Sequence, residues 1–224
     1  MGLLTVALVG FGIGIVWGIV DILIKEGKEI KAPETLKTEL TEKDRDMAKA
    51  TSEKIKEVVG ENPVKEFESM STSEKISKLE EITAELIELY SLDDVKYEMV
   101  NMTNMNLWGY YDDETKTLRI NIGMFLLDKN QVKDGKEDEY TMIVVKETLN
   151  TIAHELRHAV QYRAIELDND EYWGIDKETR LKWAYEFANY VSAGVNPRKY
   201  SNQEVEKDAN TFAEEAMKGV FDNE

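Results

Sequence analysis

The first feature of the chain is a long apolar run. Residues 3–20 carry no charge, and Asp21 is followed by three further apolar residues. A helix of that length covers about 27 Å, close to the hydrocarbon thickness of a bilayer. No basic segment precedes the run, which argues against a cleavable signal peptide. We therefore expect residues 1–24 to form one transmembrane helix, in which residues 3–24 contact the lipid bilayer. The alternative is a buried core segment.

Glycines recur at every fourth position of this run, at Gly10, Gly14 and Gly18. They form a stripe of small residues on one helix face, which allows two membrane helices to approach closely. Self-association into a homo-oligomer through this stripe is a hypothesis. Three lysines within residues 25–31 predict, by the positive-inside tendency, a single-pass membrane protein whose remaining chain is cytoplasmic.

Residues 25–70 are polar, with few large apolar positions. The pair Thr41 and Asp44 has the spacing of a capping box and predicts a charged helix that continues to about Val59. Gly60 and the Asn-Pro pair that follows end this helix. We interpret the segment as a polar helical connector.

Residues 71–224 show the amphipathic helical and alternating patterns that are typical of a compact domain. Ser71 and Glu74 predict the start of an amphipathic helix. Apolar and polar residues alternate around 95–100 and again over 118–122, which indicates two strands. Three further helical patterns follow, at about 139–166, 177–192 and 203–220. The predicted fold class is α+β, mainly helical, with a small antiparallel sheet.

Composition restricts the chemistry. The chain has 45 acidic and 28 basic residues, a formal charge of −17, no cysteine and two histidines. The acidic balance argues against nucleic acid as a partner, because a phosphate-binding surface needs lysine and arginine. The lack of cysteine excludes disulfides, thiolate zinc sites and iron–sulfur clusters from this chain.

Both histidines belong to one motif, H-E-x-x-H at residues 154–158. His154 and His158 are one helical turn apart, so both imidazoles leave the same face and can bind one metal ion. Glu155 lies about 100° around the helix, where it can take a proton from a metal-bound water. The motif therefore indicates a catalytic metal site with Glu155 as general base.

The alternative is that the histidines are ordinary core residues. With His154 at zero, the apolar positions of this helix cluster at about 160–240°, whereas His158 lies at about 40°. The histidines thus face away from the apolar stripe, which favours the metal site.

A catalytic zinc usually has three protein ligands. Because no histidine or cysteine remains, the third must be a carboxylate. Glu206 is the one acidic residue of the last predicted helix on its apolar face, where a carboxylate is costly unless it is paired or metal-bound. The alternative for Glu206 is an acid in the first turn that the helix dipole stabilises.

Two segments carry a resemblance to known families. HELRHAVQ, with VEKDANTFAEE downstream, resembles the gluzincin group of zinc metallopeptidases. The spacing of Glu206, Ala209, Phe212 and Ala213 is similar to the ImmA/IrrE family, and WGYYDDETKTLRIN is similar to the edge-strand region of phage-type metallopeptidase domains. The resemblance covers about 71–224. It implies a zincin-like metallopeptidase fold with one Zn²⁺.

The same resemblance implies a role for each residue of the motifs. It implies His154, His158 and Glu206 as zinc ligands and Glu155 as general base. Two departures stand out: Arg157 replaces the glycine usual before the second histidine, and 47 residues separate the second histidine from the glutamate. These departures argue against repressor cleavage, the ImmA/IrrE activity.

The sequence therefore predicts a membrane-anchored zinc endopeptidase acting on a protein or peptide substrate. The 118–122 strand is expected to align the substrate backbone as an added strand. A second oxyanion donor stays open among Tyr162, Tyr190, Tyr200 and Arg163. Two alternatives remain: a structural or binding component of a phage-like particle or secretion apparatus, and a metallopeptidase toxin or lysin.

Overall fold

A computed structural model of the chain describes residues 39–102, 107–123, 137–167, 169 and 171–221. Helices dominate these residues, with one small sheet. The helices are α1 (Glu42–Val59), α2 (Pro63–Ser69), α3 (Thr72–Leu89), α4 (Glu137–Leu167), α5 (Lys177–Ala188), α6 (Pro197–Asn202) and α7 (Glu204–Phe221). The strands are β1 (Lys96–Val100), β2 (Gly109–Asp112) and β3 (Thr117–Asn121).

Both predicted capping boxes are present. The Thr41 hydroxyl accepts a hydrogen bond from the Asp44 N–H at 3.1 Å, and the Asp44 carboxylate accepts one from the Thr41 N–H at 3.1 Å. Ser71 and Glu74 make the same reciprocal pair at the start of α3. Each pair satisfies backbone donors that the first helical turn leaves free, so α1 and α3 begin where the sequence predicted.

The sheet is mixed, so the prediction of an antiparallel sheet is only partly right. β2 and β3 form an antiparallel hairpin, but β1 runs parallel to β3 on its other side. The strand order is β1-β3-β2, which leaves the predicted 118–122 strand at the centre. Both edges of β3 are already paired. An added substrate strand on it is therefore excluded, and that prediction was wrong.

The core lies where α4, α7 and the sheet meet. The apolar stripe predicted for α4 is fully buried, and it includes Leu149, Ile152 and Leu156. α1 packs along α7 and contributes Ala48 and Ile55 to the same core cluster. Part of the segment predicted as a polar connector thus supports the fold. The division of the chain at residue 70 stays a prediction.

The predicted membrane localisation needs correction. Among the described residues no helix combines the length and apolar character needed to cross a bilayer. α4 is long enough at 31 residues, but charged side chains occur along its whole length. Single-pass membrane localisation is therefore not supported. The predicted span at 1–24, with Gly10, Gly14 and Gly18, lies outside the described residues.

Candidate metal centre

The structure brings the three predicted ligands together. His154 and His158 stand on one face of α4, with their Nε2 atoms 3.1 Å apart. Glu206 reaches the pair from the first turn of α7, with one carboxylate oxygen 3.6 Å from His154 Nε2 and the other 3.4 Å from His158 Nε2. All three residues are buried, and they form a group that could hold a metal ion.

The geometry fits a four-coordinate metal. Two atoms that each lie 2.0–2.1 Å from a tetrahedral ion are about 3.3–3.4 Å apart, close to the three separations in this group. Glu206 Oε2 is buried and has no hydrogen-bond partner. A buried carboxylate oxygen without a donor is costly unless a cation satisfies it. The residues present therefore fit a divalent cation.

The carboxylate and the imidazoles of the group shift each other's pKa values. Burial by itself lowers the pKa of His158, but the Glu206 carboxylate outweighs it and raises that pKa to about 9. Burial by itself raises the pKa of Glu206, but the two imidazoles outweigh it and hold that pKa well below its usual range. In the metal-free chain the carboxylate and the imidazoles thus stabilise each other's charged forms.

Glu155 lies beside the group and is held on one side only. Its Oε2 accepts a hydrogen bond from the Tyr111 backbone N–H at 3.0 Å, whereas its Oε1 is buried without a partner. Burial raises the pKa of Glu155, although the two histidines oppose this. A fixed carboxylate with one free oxygen and a raised pKa can both accept and return a proton.

Of the four residues named as candidate donors, Tyr190 is the one hydrogen-bonded to the group. Its hydroxyl donates to Glu206 Oε1 at 2.5 Å. Tyr162 instead stacks on Phe187, with ring centroids 4.0 Å apart. Arg163 pairs with acidic residues on the surface. The Tyr200 hydroxyl is buried, and burial together with the charge of nearby Glu206 raises the pKa of Tyr200.

Aromatic side chains cover the centre. Phe187, near the end of α5, lies with its ring centroid 6.1 Å from that of His158. His154 and Glu206 are 0% exposed, Glu155 is 3% exposed and His158 is 8% exposed. The centre is thus closed to solvent in this structure, and α5 together with the segment after it forms the cover.

Sequence reasoning missed the residues that support the ligands from behind. Gln161, Arg157 and Asp208 form a buried network between α4 and α7, and Asp44 of α1 extends it. One signal was available: an arginine inside the H-E-x-x-H motif, on a helix whose surroundings are apolar. The sequence does not identify the partners of this arginine, because they lie far from it along the chain.

Comparison with known protein families, curated proteins and solved structures finds no match for this chain. The resemblance to the gluzincin and ImmA/IrrE groups therefore rests on the two motifs alone.

Proposed function

We propose that the chain is a zinc-dependent endopeptidase with a zincin-like fold. The observation that carries the proposal is the juxtaposition of His154, His158 and Glu206 with a Glu155 carboxylate that has one oxygen free. Two imidazoles and one carboxylate are a ligand set of catalytic zinc sites, which keep a fourth position for water or substrate.

In this proposal His154 and His158 would hold zinc through Nε2, and Glu206 would hold it through Oε2. Zinc bound there would supply an acidified water and a polarised scissile carbonyl. Glu155 Oε1 takes the proton of the attacking water and returns it to the leaving amine. The Tyr111 N–H keeps Glu155 in place during both transfers.

In the part of the chain that the structure describes, no strand pairs with the outer edge of β2, and this edge is the proposed place for the substrate backbone. Asn121 N–H donates to Trp108 C=O at 2.7 Å, which makes these opposed residues a hydrogen-bonded pair of the antiparallel ladder. Because such pairs alternate, Gly109 and Tyr111 direct their backbone groups away from β3. Tyr111 meets Glu155 there, so a peptide added to this edge runs past the general base.

The test compares three glutamate substitutions. Glu155→Gln is expected to retain zinc and to lose cleavage of a proteome-derived peptide library. Glu206→Ala is expected to lower the zinc content measured by elemental analysis. Glu147→Gln is the matched control, since Glu147 lies on the same helix two turns before His154. Full cleavage by Glu155→Gln would overturn the mechanism, and unchanged zinc in Glu206→Ala would move the third ligand elsewhere.

A second candidate is a binding protein with a structural zinc centre. The near-complete burial of the ligands favours it, because structural zinc sites are closed. This candidate predicts that wild type cleaves no peptide of the library while zinc still raises its melting temperature. The phage-particle and toxin or lysin alternatives stay predictions.

A further inference from the structure

The side chain of Gln161 lies between a proposed zinc ligand and α7. Its Oε1 is 2.8 Å from His158 Nδ1. Its Nε2 is 3.0 Å from the Val205 carbonyl and 2.7 Å from Asp208 Oδ2. Gln161 is fully buried, so each of these contacts replaces a hydrogen bond to water.

The contacts of the amide determine which histidine nitrogen carries hydrogen. The Val205 carbonyl and the Asp208 carboxylate only accept, so the Gln161 amide nitrogen must face them and donate. Its carbonyl oxygen then faces His158 and accepts from Nδ1–H. That arrangement leaves Nε2 as the His158 nitrogen that faces the group formed with His154 and Glu206, where it offers a lone pair once the imidazole is neutral.

Asp208 is itself held by a buried arginine. Arg157 donates to both of its oxygens, through Nε at 2.7 Å and through a terminal nitrogen at 2.9 Å. The other terminal nitrogen of Arg157 is 2.8 Å from Asp44 Oδ1 on α1. Both side chains of the Arg157–Asp208 pair are nearly inaccessible to solvent. This bidentate ion pair therefore fixes the Asp208 carboxylate where it accepts the hydrogen bond from Gln161.

From these contacts we infer that Gln161 is the positioning residue of His158. Arg157 and Asp208 in turn hold the Gln161 amide in place. The inference rests on the proposed metal site but not on peptide cleavage. His154 provides an internal contrast, because its Nδ1 is buried without a hydrogen-bond partner. Of the two histidines, His158 is therefore the one whose orientation is fixed through a side-chain network.

The first test measures zinc affinity by competition with a chromophoric chelator. Gln161→Leu is expected to lower the affinity about 10- to 100-fold, the usual effect of losing a partner that orients a ligand. The matched control is Asn121→Leu. Asn121 is also fully buried, and its amide bonds the backbones of Met102, Leu107 and Gly123 on the sheet rather than at the ligands. The zinc affinity of this variant is expected to stay within about threefold of wild type.

The second test uses the two histidines of the zinc-loaded wild-type protein in ¹⁵N-resolved proton NMR. The Nδ1–H of His158 is expected to exchange with water more slowly than that of His154, because the Gln161 carbonyl accepts it. Equal exchange rates, or wild-type zinc affinity in folded Gln161→Leu, would overturn the inference. The exchange measurement needs no variant, so misfolding of Gln161→Leu leaves it decisive.

The outcomes separate this inference from the proposed function. Zinc binding that depends on Gln161, without peptide cleavage, would support the inference and reject the peptidase. Peptide cleavage by the wild type, together with unchanged zinc affinity in Gln161→Leu, would support the peptidase and reject the inference. A wild-type chain that binds no zinc would overturn both.

Discussion

Glu155 Oε2 accepts a hydrogen bond from the backbone N–H of Tyr111 at 3.0 Å, which ties the helix of the two histidines to the edge of the sheet. The bond has two consequences. It fixes the proposed general base from one side, and it fixes the free edge of β2 relative to that base. A shift of β2 against α4 would therefore disturb both the base and the proposed substrate strand.

Gly109 permits this close approach. A methyl group at Gly109 would lie 2.7 Å from the Arg119 carbonyl oxygen and 2.9 Å from Thr151 Cγ2 on α4. Gly109→Ala should displace β2 and lower kcat/KM for peptide cleavage about 10- to 100-fold, since such displacements in an active site are costly. Zinc affinity should not change, because β2 carries none of the proposed ligands.

The control for Gly109→Ala is another glycine in a tight contact. A methyl group at Gly219 of α7 would lie 2.7 Å from Ser52 Cβ of α1, on the α1–α7 contact rather than at the edge of β2. Gly219→Ala should lower the free energy of unfolding by about 1–3 kcal/mol yet leave cleavage per folded molecule unchanged. Equal loss of kcat/KM in both variants would contradict the role given to the β2 edge.

The hydrogen bond from Tyr190 to Glu206 should contribute to zinc affinity. Burial and the charge of Glu206 raise the pKa of Tyr190 well above its usual range, so its hydroxyl stays protonated and donates to Glu206. Tyr190→Phe should therefore lower zinc affinity about tenfold. Tyr185→Phe removes a hydroxyl on a side chain of α5 that is 70% exposed, and affinity should hold within about threefold. An equal loss of affinity in Tyr185→Phe would contradict the role given to Tyr190.

The local features of the fold could be predicted because they depend on neighbouring residues. The capping boxes at Thr41 and Ser71 need only a three-residue spacing. The juxtaposition of His154 with His158 needs only the period of a helix. Glu206 followed from its place on an apolar face together with the absence of other ligand types, and the structure indeed buries it completely.

What could not be predicted depends on tertiary contacts. The sequence does not show that β1 pairs in parallel with β3, because β2 lies between them in the chain and an alternating pattern specifies neither the partner nor the direction of a strand. Asp208 lies off the apolar face of its helix, yet it is buried because Arg157 reaches it from α4. Arg157 could be recognised as a departure from the ImmA/IrrE pattern, but its partners could not.

Zinc affinity should depend on pH through His158. Because its pKa in the metal-free chain is raised to about 9, a proton competes with zinc at neutral pH. Apparent affinity should rise about tenfold per pH unit between 6.5 and 8.5 and level off above pH 9, where the imidazole is already neutral. The Glu206 pKa is lowered, so this carboxylate is ionised throughout and adds no dependence. Chelator competition at several pH values measures this slope, and a flat profile would contradict it.

Arg157 should contribute strongly to stability through the carboxylates it neutralises. It is 1% exposed, and it contacts Asp208 and Asp44 while its guanidinium packs against the ring of Phe212 at 5.0 Å. Arg157→Met should lower the free energy of unfolding by about 3–5 kcal/mol, because it leaves two buried carboxylates unpaired. Urea denaturation of the zinc-free chain measures the loss without a contribution from metal binding.

The origin of that loss can be separated from packing. Methionine fills much of the space of the arginine stem among the aromatic rings, so the unpaired charges dominate the expected effect. Adding Asp44→Asn and Asp208→Asn to Arg157→Met removes both charges while retaining the side-chain shapes. The triple variant should therefore recover more than half of the lost free energy. If it is as unstable as Arg157→Met alone, the arginine acts through its packing against the aromatic rings rather than through its charge.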